Sequence, residues 1–178
     1  MGVSAAAGES SLIASARAGD GAAFDHLIGP LIEPAYRLAV VMLRSTDEAH
    51  DAVQEATFKA WRKLDQLHAE SPLRPWFFTI VANQCRSVRR SPWWSVRRVP
   101  AVESEREFRT DVVDAQLDLN RGLSELTAAD RTVLFLFFYL DLPLVEVATI
   151  IGVSPQAAKS RVHRAVVKLR LRMEDAQL

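Results

Sequence analysis

Apolar residues along the chain recur at spacings of three and four, and no useful stretch alternates with period two. Spacings of three and four line one face of a helix, whereas a half-buried strand repeats every two, so the pattern predicts an all-α protein. A short helix is expected over 10–18, stopped by AGDG. A longer apolar helix is expected over 24–44, interrupted near Gly29-Pro30 and at Pro34, because proline removes a hydrogen-bond donor and its ring crowds the preceding turn. Ser45 and Glu48 have the spacing of a capping box, in which hydroxyl and carboxylate satisfy free N–H groups; the helix it opens should run to about Leu67. Pro75 suits a first helical turn, where its missing N–H is not needed, and the helix it marks should reach about Arg90.

The periodicity then breaks. SPWWSVRRVPAVESEREFRT, residues 91–110, has two prolines, mixed charge and no sustained period, which reads as a linker. Helical spacing resumes at Asp114. Thr127 and Asp130 mark a cap ahead of VLFLFFYL, Pro143 opens a short helix that Gly152 closes, and Ser154-Pro155 reads as cap and first residue of a last helix. The expected architecture is two small helical domains, 1–90 and 114–178, joined by a flexible linker at 91–113.

Composition changes this picture little. Hydrophobic residues make up 49% and charged residues 25%, as in ordinary globular proteins. No apolar run reads as a membrane span, and the first residues lack the basic start and apolar core of a signal peptide, so a cytoplasmic location without membrane contact is expected. The single cysteine, Cys85, excludes an internal disulfide and reads as a small core residue. His26, His50, His68 and His163 are scattered without ligand spacing, and no nucleophile stands in a triad setting, so neither metal, cofactor nor catalysis is expected. Asp47-Glu48-Ala49-His50 spells a helicase string, but the phosphate-cradling loop G-x-x-x-x-G-K-[ST] is absent, which excludes that reading.

Charge changes the picture more. The formal net charge is +0, yet Arg86, Arg89, Arg90, Arg97 and Arg98 form one basic block, and Lys159, Arg161, Arg164, Lys168, Arg170 and Arg172 a second. Between them lies an acidic stretch with Glu103, Glu105, Glu107, Asp111, Asp114 and Asp118. Each block alone would pass for a solvated helix face. Their placement does not. Residues 142–170 have the form of a helix-turn-helix: a short helix, a turn at Gly152 and a second helix. Ala158, Val162, Ala165, Val166 and Leu169 form its apolar stripe. Gln156, Lys159, Ser160, His163 and Arg164 lie opposite, where early residues can reach base edges in a major groove and the cations, with Arg161 and Lys168, can neutralise phosphates.

Two further faces suit macromolecular partners. Over 71–90, Phe77, Ile80, Val81 and Val88 form an inward stripe, while Thr79, Asn83, Arg86 and Arg90 share another face. An amide and arginines together suit a nucleic-acid strand, the amide for a base edge and the guanidinium groups for phosphates. Trp76, Phe77 and Phe78 could stack on bases, but core packing is the better reading of aromatics at helical spacing. In the helix after Ser45, Val53, Thr57, Trp61 and Leu64 point inward. Asp47 and Glu48 are explained by the helix dipole. Asp51 and Glu55 are like charges one turn apart, and a basic docking partner would explain them.

Taken together, these stretches resemble the extracytoplasmic-function (ECF) type of bacterial RNA polymerase sigma factor. DAVQEATFKAWRKLDQL (51–67) is similar to the family's core-polymerase-binding helix, PWFFTIVANQCRSVRR (75–90) to its minus-ten segment, and 126–170, with AKSRVHRA, to its minus-thirty-five domain. The resemblance implies that Asp51, Gln54 and Glu55 contact the clamp helices of the beta-prime subunit within a core that also presents the beta subunit. It implies that Asn83 reads a flipped minus-ten base, with Arg86 and Arg90 near the backbone, and that Gln156, Lys159, Ser160, Arg161 and Arg164 meet the minus-thirty-five element. It implies that the acidic linker threads the RNA exit channel and that an anti-sigma factor holds the protein inactive. Trp93 and Trp94 match nothing in the family pattern. Two rival readings differ in their partners: a helix-turn-helix regulator acting without polymerase, and a sigma mimic that sequesters an anti-sigma factor. The first leaves the Asn83 face without a purpose, and the intact basic run of the last helix speaks against the second.

Overall fold

Side-chain caps set where the helices begin. The computed structural model describes residues 2–68, 71–91 and 122–175, and the described chain is helical, with no strand. Helix α1 (Gly2–Arg17) is followed by α2 (Gly21–Leu43), whose N-cap Asp20 accepts a hydrogen bond from Ala23 N at 3.1 Å. The cap of α3 (Thr46–Lys63) is Ser45, whose hydroxyl accepts from Glu48 N, half of the expected capping box. A 3₁₀ turn (Leu64–Gln66) ends α3, and α4 (Leu73–Arg90) begins two residues before Pro75, which still lies in the first turn. Residues 122–125 are helical; α5 (Ala128–Leu134), capped by Thr127, continues into a π-helical turn (Phe135–Tyr139), then α6 (Leu144–Ile151) and α7 (Pro155–Asp175). The resumption of helix expected at 114 falls outside the described residues.

Two expectations need correction. First, α2 runs through Pro30 and Pro34 without a break. The prolines are one turn apart on one side, and both His26 and Pro30, whose carbonyls lose their partners, are exposed, so water can take those bonds. The side opposite the prolines buries Ile28, Ala35 and Ala39, with Leu27 and Leu38 also buried, and that packing holds the helix whole. At 23 residues α2 is also long and apolar enough to pass a length-and-composition test for a membrane span, which the sequence reading had not expected. Here it is the central core helix, packed on α1, α3 and α4. Second, the inward face of α3 is mostly alanine. Ala49, Ala52, Ala56 and Ala60 are buried beside Val53, and Trp61 is only half-buried. Small residues let α3 lie close against α2 and α4.

On α4, Phe77 and Phe78 are fully buried with Val81, Ala82 and Cys85. Burial pushes the Cys85 thiol up to about 12, so it stays neutral at physiological pH. The second half packs a smaller core of Leu126, Val133, Leu134, Val162 and Ala165. At Gly122 a Cβ would lie 3.0 Å from the Leu169 side chain, so the chain passes close against α7 there and a larger residue would require Leu169 to shift. The two halves also meet. Phe135, Leu136, Leu140, Leu142, Val147, Ala148 and Ile150 belong to the same buried cluster as Phe77 and Cys85, with α6 lying on α4 and α5 on α2.

Candidate nucleic-acid and polymerase interfaces

The turn between α6 and α7 is built for a sharp change of direction. Gly152 is left-handed (φ 73°), and its N–H closes α6 on the carbonyls of Ala148 and Thr149. A side chain at that φ is strained, which is why glycine stands there. Ser154 then caps α7, its hydroxyl accepting from Ala157 N at 3.2 Å. Ala158, Val162 and Ala165 are buried, with Val166 and Leu169 half-buried, as the stripe predicted. Gln156, Lys159, Ser160, Arg161 and Arg164 are all exposed. Among the described residues none of these three cations has a salt bridge; Arg164 Nε donates to Ser160 O. The structure therefore gathers the five residues on one open face.

Lys168 is used differently from the phosphate contact expected of it. Its Nζ lies 2.7 Å from Asp130 Oδ2, clasping α7 to α5, while Arg172 pairs with Glu125 at 3.3 Å. Partial burial pushes the Asp130 carboxyl up, but hydrogen bonds from Lys168 and Thr127 outweigh it and hold the group below its ordinary value.

On α4, Asn83 and Arg90 are exposed and Arg86 is half-buried, on the face expected. Arg86 Nη1 donates to Asn83 Oδ1 at 2.6 Å, and Nη2 reaches the Ile150 carbonyl on α6 at 2.7 Å. Burial pulls the Arg86 guanidinium below its ordinary value, and Arg90 one turn on adds to this. Thr79 is turned back on its own helix, its hydroxyl donating to Pro75 O.

On α3, Asp51, Gln54 and Glu55 are exposed together. Glu55 is not unpaired: Lys59 Nζ lies 3.2 Å away and also donates to Gln84 Oε1 on α4 at 2.6 Å. An exposed pair one turn apart contributes a few tenths of a kcal/mol, so it leaves the face available. The sequence reading missed Phe58. It follows Gln54 by four residues and Asp51 by seven, so it shares their face, and it is 55% exposed with the Arg62 guanidinium 5.7 Å from its ring centroid. The spacing signal was present. An aromatic on an amphipathic helix simply reads as core.

Comparisons with known proteins identify the family and the fold. Residues 27–95 match the family described as Sigma-70 region 2, and residues 116–169 that described as Sigma-70, region 4. The Bacillus subtilis (strain 168) RNA polymerase sigma factor SigV is 27% identical over 80% of this chain and 86% of its own. The Mycobacterium tuberculosis (strain ATCC 25618 / H37Rv) ECF RNA polymerase sigma factor SigL is 29% identical over 79% of this chain and 82% of its own. Among solved structures, CnrH in complex with the cytosolic domain of CnrY shares the fold (TM-score 0.71, 24% identity, 94% of this chain and 98% of that one). The Bartonella quintana sigma factor RpoE, in complex with the anti-sigma factor NepR, matches at a TM-score of 0.67 and 26% identity, covering 85% and 96%. The chain belongs to the ECF branch of the sigma-70 family. It is a sigma factor, binding core RNA polymerase and directing promoter-specific initiation, in a family of non-enzymatic initiation factors.

Proposed function

We propose a division of labour among three helix faces. The open face of α7, with Gln156, Lys159, Ser160, Arg161 and Arg164, binds the minus-thirty-five duplex. The Asn83, Arg86 and Arg90 face of α4 takes the unpaired minus-ten strand, whose capture offsets an unstacking cost of a few kcal/mol. Asp51, Gln54 and Glu55 on α3, with Phe58 as an apolar anchor among them, dock on the clamp helices of the beta-prime subunit. Residues 1–90 and 114–178 are the two functional domains, and the acidic linker between them occupies the RNA exit channel. The protein works in the cytoplasm, catalyses nothing itself, and is held in check by an anti-sigma factor, as the RpoE–NepR pair suggests by analogy. The observation that supports this best is the α7 face, where three cations stand exposed with no acid paired to them among the described residues.

Run-off transcription tests it. Purified protein, core polymerase and promoter fragments, including the region upstream of its own gene, should give transcripts that start at a defined site and need the protein. Asp51→Lys with Phe58→Ala should abolish capture of core polymerase while leaving duplex binding by α7 within about twofold, because the two faces are on separate helices. Retained core capture would remove α3 from the polymerase interface. Duplex binding without any core capture by the unmodified protein would favour the regulator that acts alone.

A further inference from the structure

Four cations of α7 lie along one flank of its outer face. Arg161, Arg164, Lys168 and Arg172 follow one another at spacings of three, four and four, which keeps them on one side of a helix. All four are exposed. Their partners divide them in the middle. Among the described residues Arg161 and Arg164 have no acid paired to them, whereas Lys168 Nζ lies 2.7 Å from Asp130 Oδ2 and Arg172 Nε lies 3.3 Å from Glu125 Oε2. Arg170, the other cation of this part, stands on the opposite flank with His163.

The two acids are not equally fixed. The Asp130 side chain is only 15% exposed. The Thr127 hydroxyl donates to its Oδ2 at 2.8 Å and accepts from Asp130 N at 3.2 Å, so the cap of α5 holds the carboxylate in place. Burial pushes that carboxyl up, and the hydrogen bonds from Lys168 and Thr127, then the charges of Lys168 and Arg164, bring it below its ordinary value. Asp130 therefore sits within the field of Arg164 as well. Glu125 is looser, with 46% of its side chain exposed, on the 122–125 helix whose Gly122 lies against Leu169 and Met173.

The placement matters for reading DNA. A helix-turn-helix sets the first residues of its second helix on base edges, and phosphate contacts fix where those residues stand. At 1.5 Å per residue Lys168 is about 6 Å beyond Arg164 along α7, and Arg172 about 12 Å. With both free, phosphate contact would extend along the whole flank, and attraction to phosphate is indifferent to sequence. Pairing confines the free charge of this flank to Arg161 and Arg164, beside Gln156, Lys159 and Ser160.

We propose that Asp130 is a positioning residue for DNA recognition: it withholds Lys168 from phosphate, as Glu125 withholds Arg172, and so confines phosphate contact to the end of α7 that reaches bases. Asp130 touches no DNA itself. It lowers sequence-independent affinity and raises discrimination. The inference rests on α7 being the duplex-binding helix. A merely structural clasp has the opposite sign, because loosening α7 weakens binding to every duplex, whereas releasing Lys168 strengthens binding to any duplex.

The test is the salt dependence of duplex binding by the full chain, followed by fluorescence anisotropy. One duplex carries the minus-thirty-five region upstream of a mapped run-off start, and the other is a scrambled sequence of equal length. Asp130→Asn keeps an oxygen for the Thr127 hydroxyl and removes the charge. On the scrambled duplex it should steepen the slope of log K against log salt by about 0.9, the contribution of one phosphate, and tighten binding several-fold at low salt. The ratio of affinities, minus-thirty-five over scrambled, should fall several-fold. Adding Lys168→Gln to that variant should return slope and ratio to their starting values. Glu125→Gln, farther from the base-reading end, should act in the same direction by less. An unchanged slope or an unchanged ratio in Asp130→Asn overturns the proposal, as does a steeper slope that Lys168→Gln leaves in place. Weaker binding of Asp130→Asn to both duplexes overturns it too, and makes the clasp structural alone. Should Asp130→Asn lose its helical circular dichroism, Glu125→Gln, outside the α5 cap, decides by the same slope and ratio. Duplex binding by the unmodified chain that is absent or independent of salt brings down the reading of α7 itself, and is seen before any variant is made.

Discussion

Helices α4 and α7 both face DNA in the proposed function, yet they are built on opposite plans. The inner face of α4 buries Leu73, Pro75, Phe77, Phe78, Val81, Ala82 and Cys85, and its polar face is held by the other half through Arg86. The inner face of α7 buries only Ala158, Val162 and Ala165 fully, and most of its outer face is solvent. So α4 is a wall of the core that also bears a binding face, whereas α7 is a display element fixed by a turn, a cap and two ion pairs. The difference teaches where specificity is costly to alter. Changes on α4 act on fold and function together, while changes at Gln156, Lys159, Arg161 or Arg164 on α7, away from its cap and its ion-paired Lys168 and Arg172, act on DNA alone.

The largest expected effect would break the comparison most directly. Phe77→Ala empties a fully buried ring site in the larger core, for about 3–5 kcal/mol. Val162→Ala on α7 should cost about 1–2 kcal/mol, at ~0.8 kcal/mol per buried methylene. Urea midpoints followed by circular dichroism give both. Equal losses would mean that α7 belongs to the core as firmly as α4.

The next pair separates the two DNA faces. Asn83→Ala should impair promoter opening by about 1–3 kcal/mol, the worth of a base contact, while leaving core binding unchanged. Normal opening, with minus-ten base preference also unaltered, would remove Asn83 from base reading. Arg164→Ala should weaken binding to a minus-thirty-five duplex nearly uniformly across sequences and reduce the slope of log K against log salt by about 1. A sequence-selective loss with unchanged salt slope would place Arg164 on a base instead.

Much of this was legible before any coordinates. Ser45, Thr127, Gly152 and Ser154 announced their turns because capping is a local matter of one side chain and the next few N–H groups. The faces of Asn83 and Gln156 followed from helical spacing alone. What escaped was non-local. The continuity of α2 through Pro30 and Pro34 depends on which side the rest of the protein packs against. The alanine face of α3 carries little hydrophobic signal residue by residue and acquires meaning only from its close neighbours. The contacts of Arg37, Arg74 and Arg86 end on backbone carbonyls and a phenol 64 to 102 residues away, and no periodicity in the sequence marks such acceptors. Trp93 and Trp94 lie outside the described residues.

The smallest effect is chemical and tests whether the inner face of α4 ever meets solvent. Thiolate is the form that reacts with alkylating reagents, and burial holds Cys85 near 12, so the native protein at pH 8 should resist labelling over the time a free thiol reacts fully. A cysteine introduced as Ser160→Cys, on the exposed face of α7, should react at the rate of an unfolded peptide. The sign of the pH dependence follows. Below about pH 9 the thiol is neutral in both folded and unfolded chains, and Cys85 leaves stability unchanged. Between about 9 and 12 only the unfolded chain releases the proton, so stability falls as pH rises through that window. Fast labelling of native Cys85 would show that the inner wall of α4 opens to solvent on that timescale, and the contrast between the two helices would then hold only for the packed state.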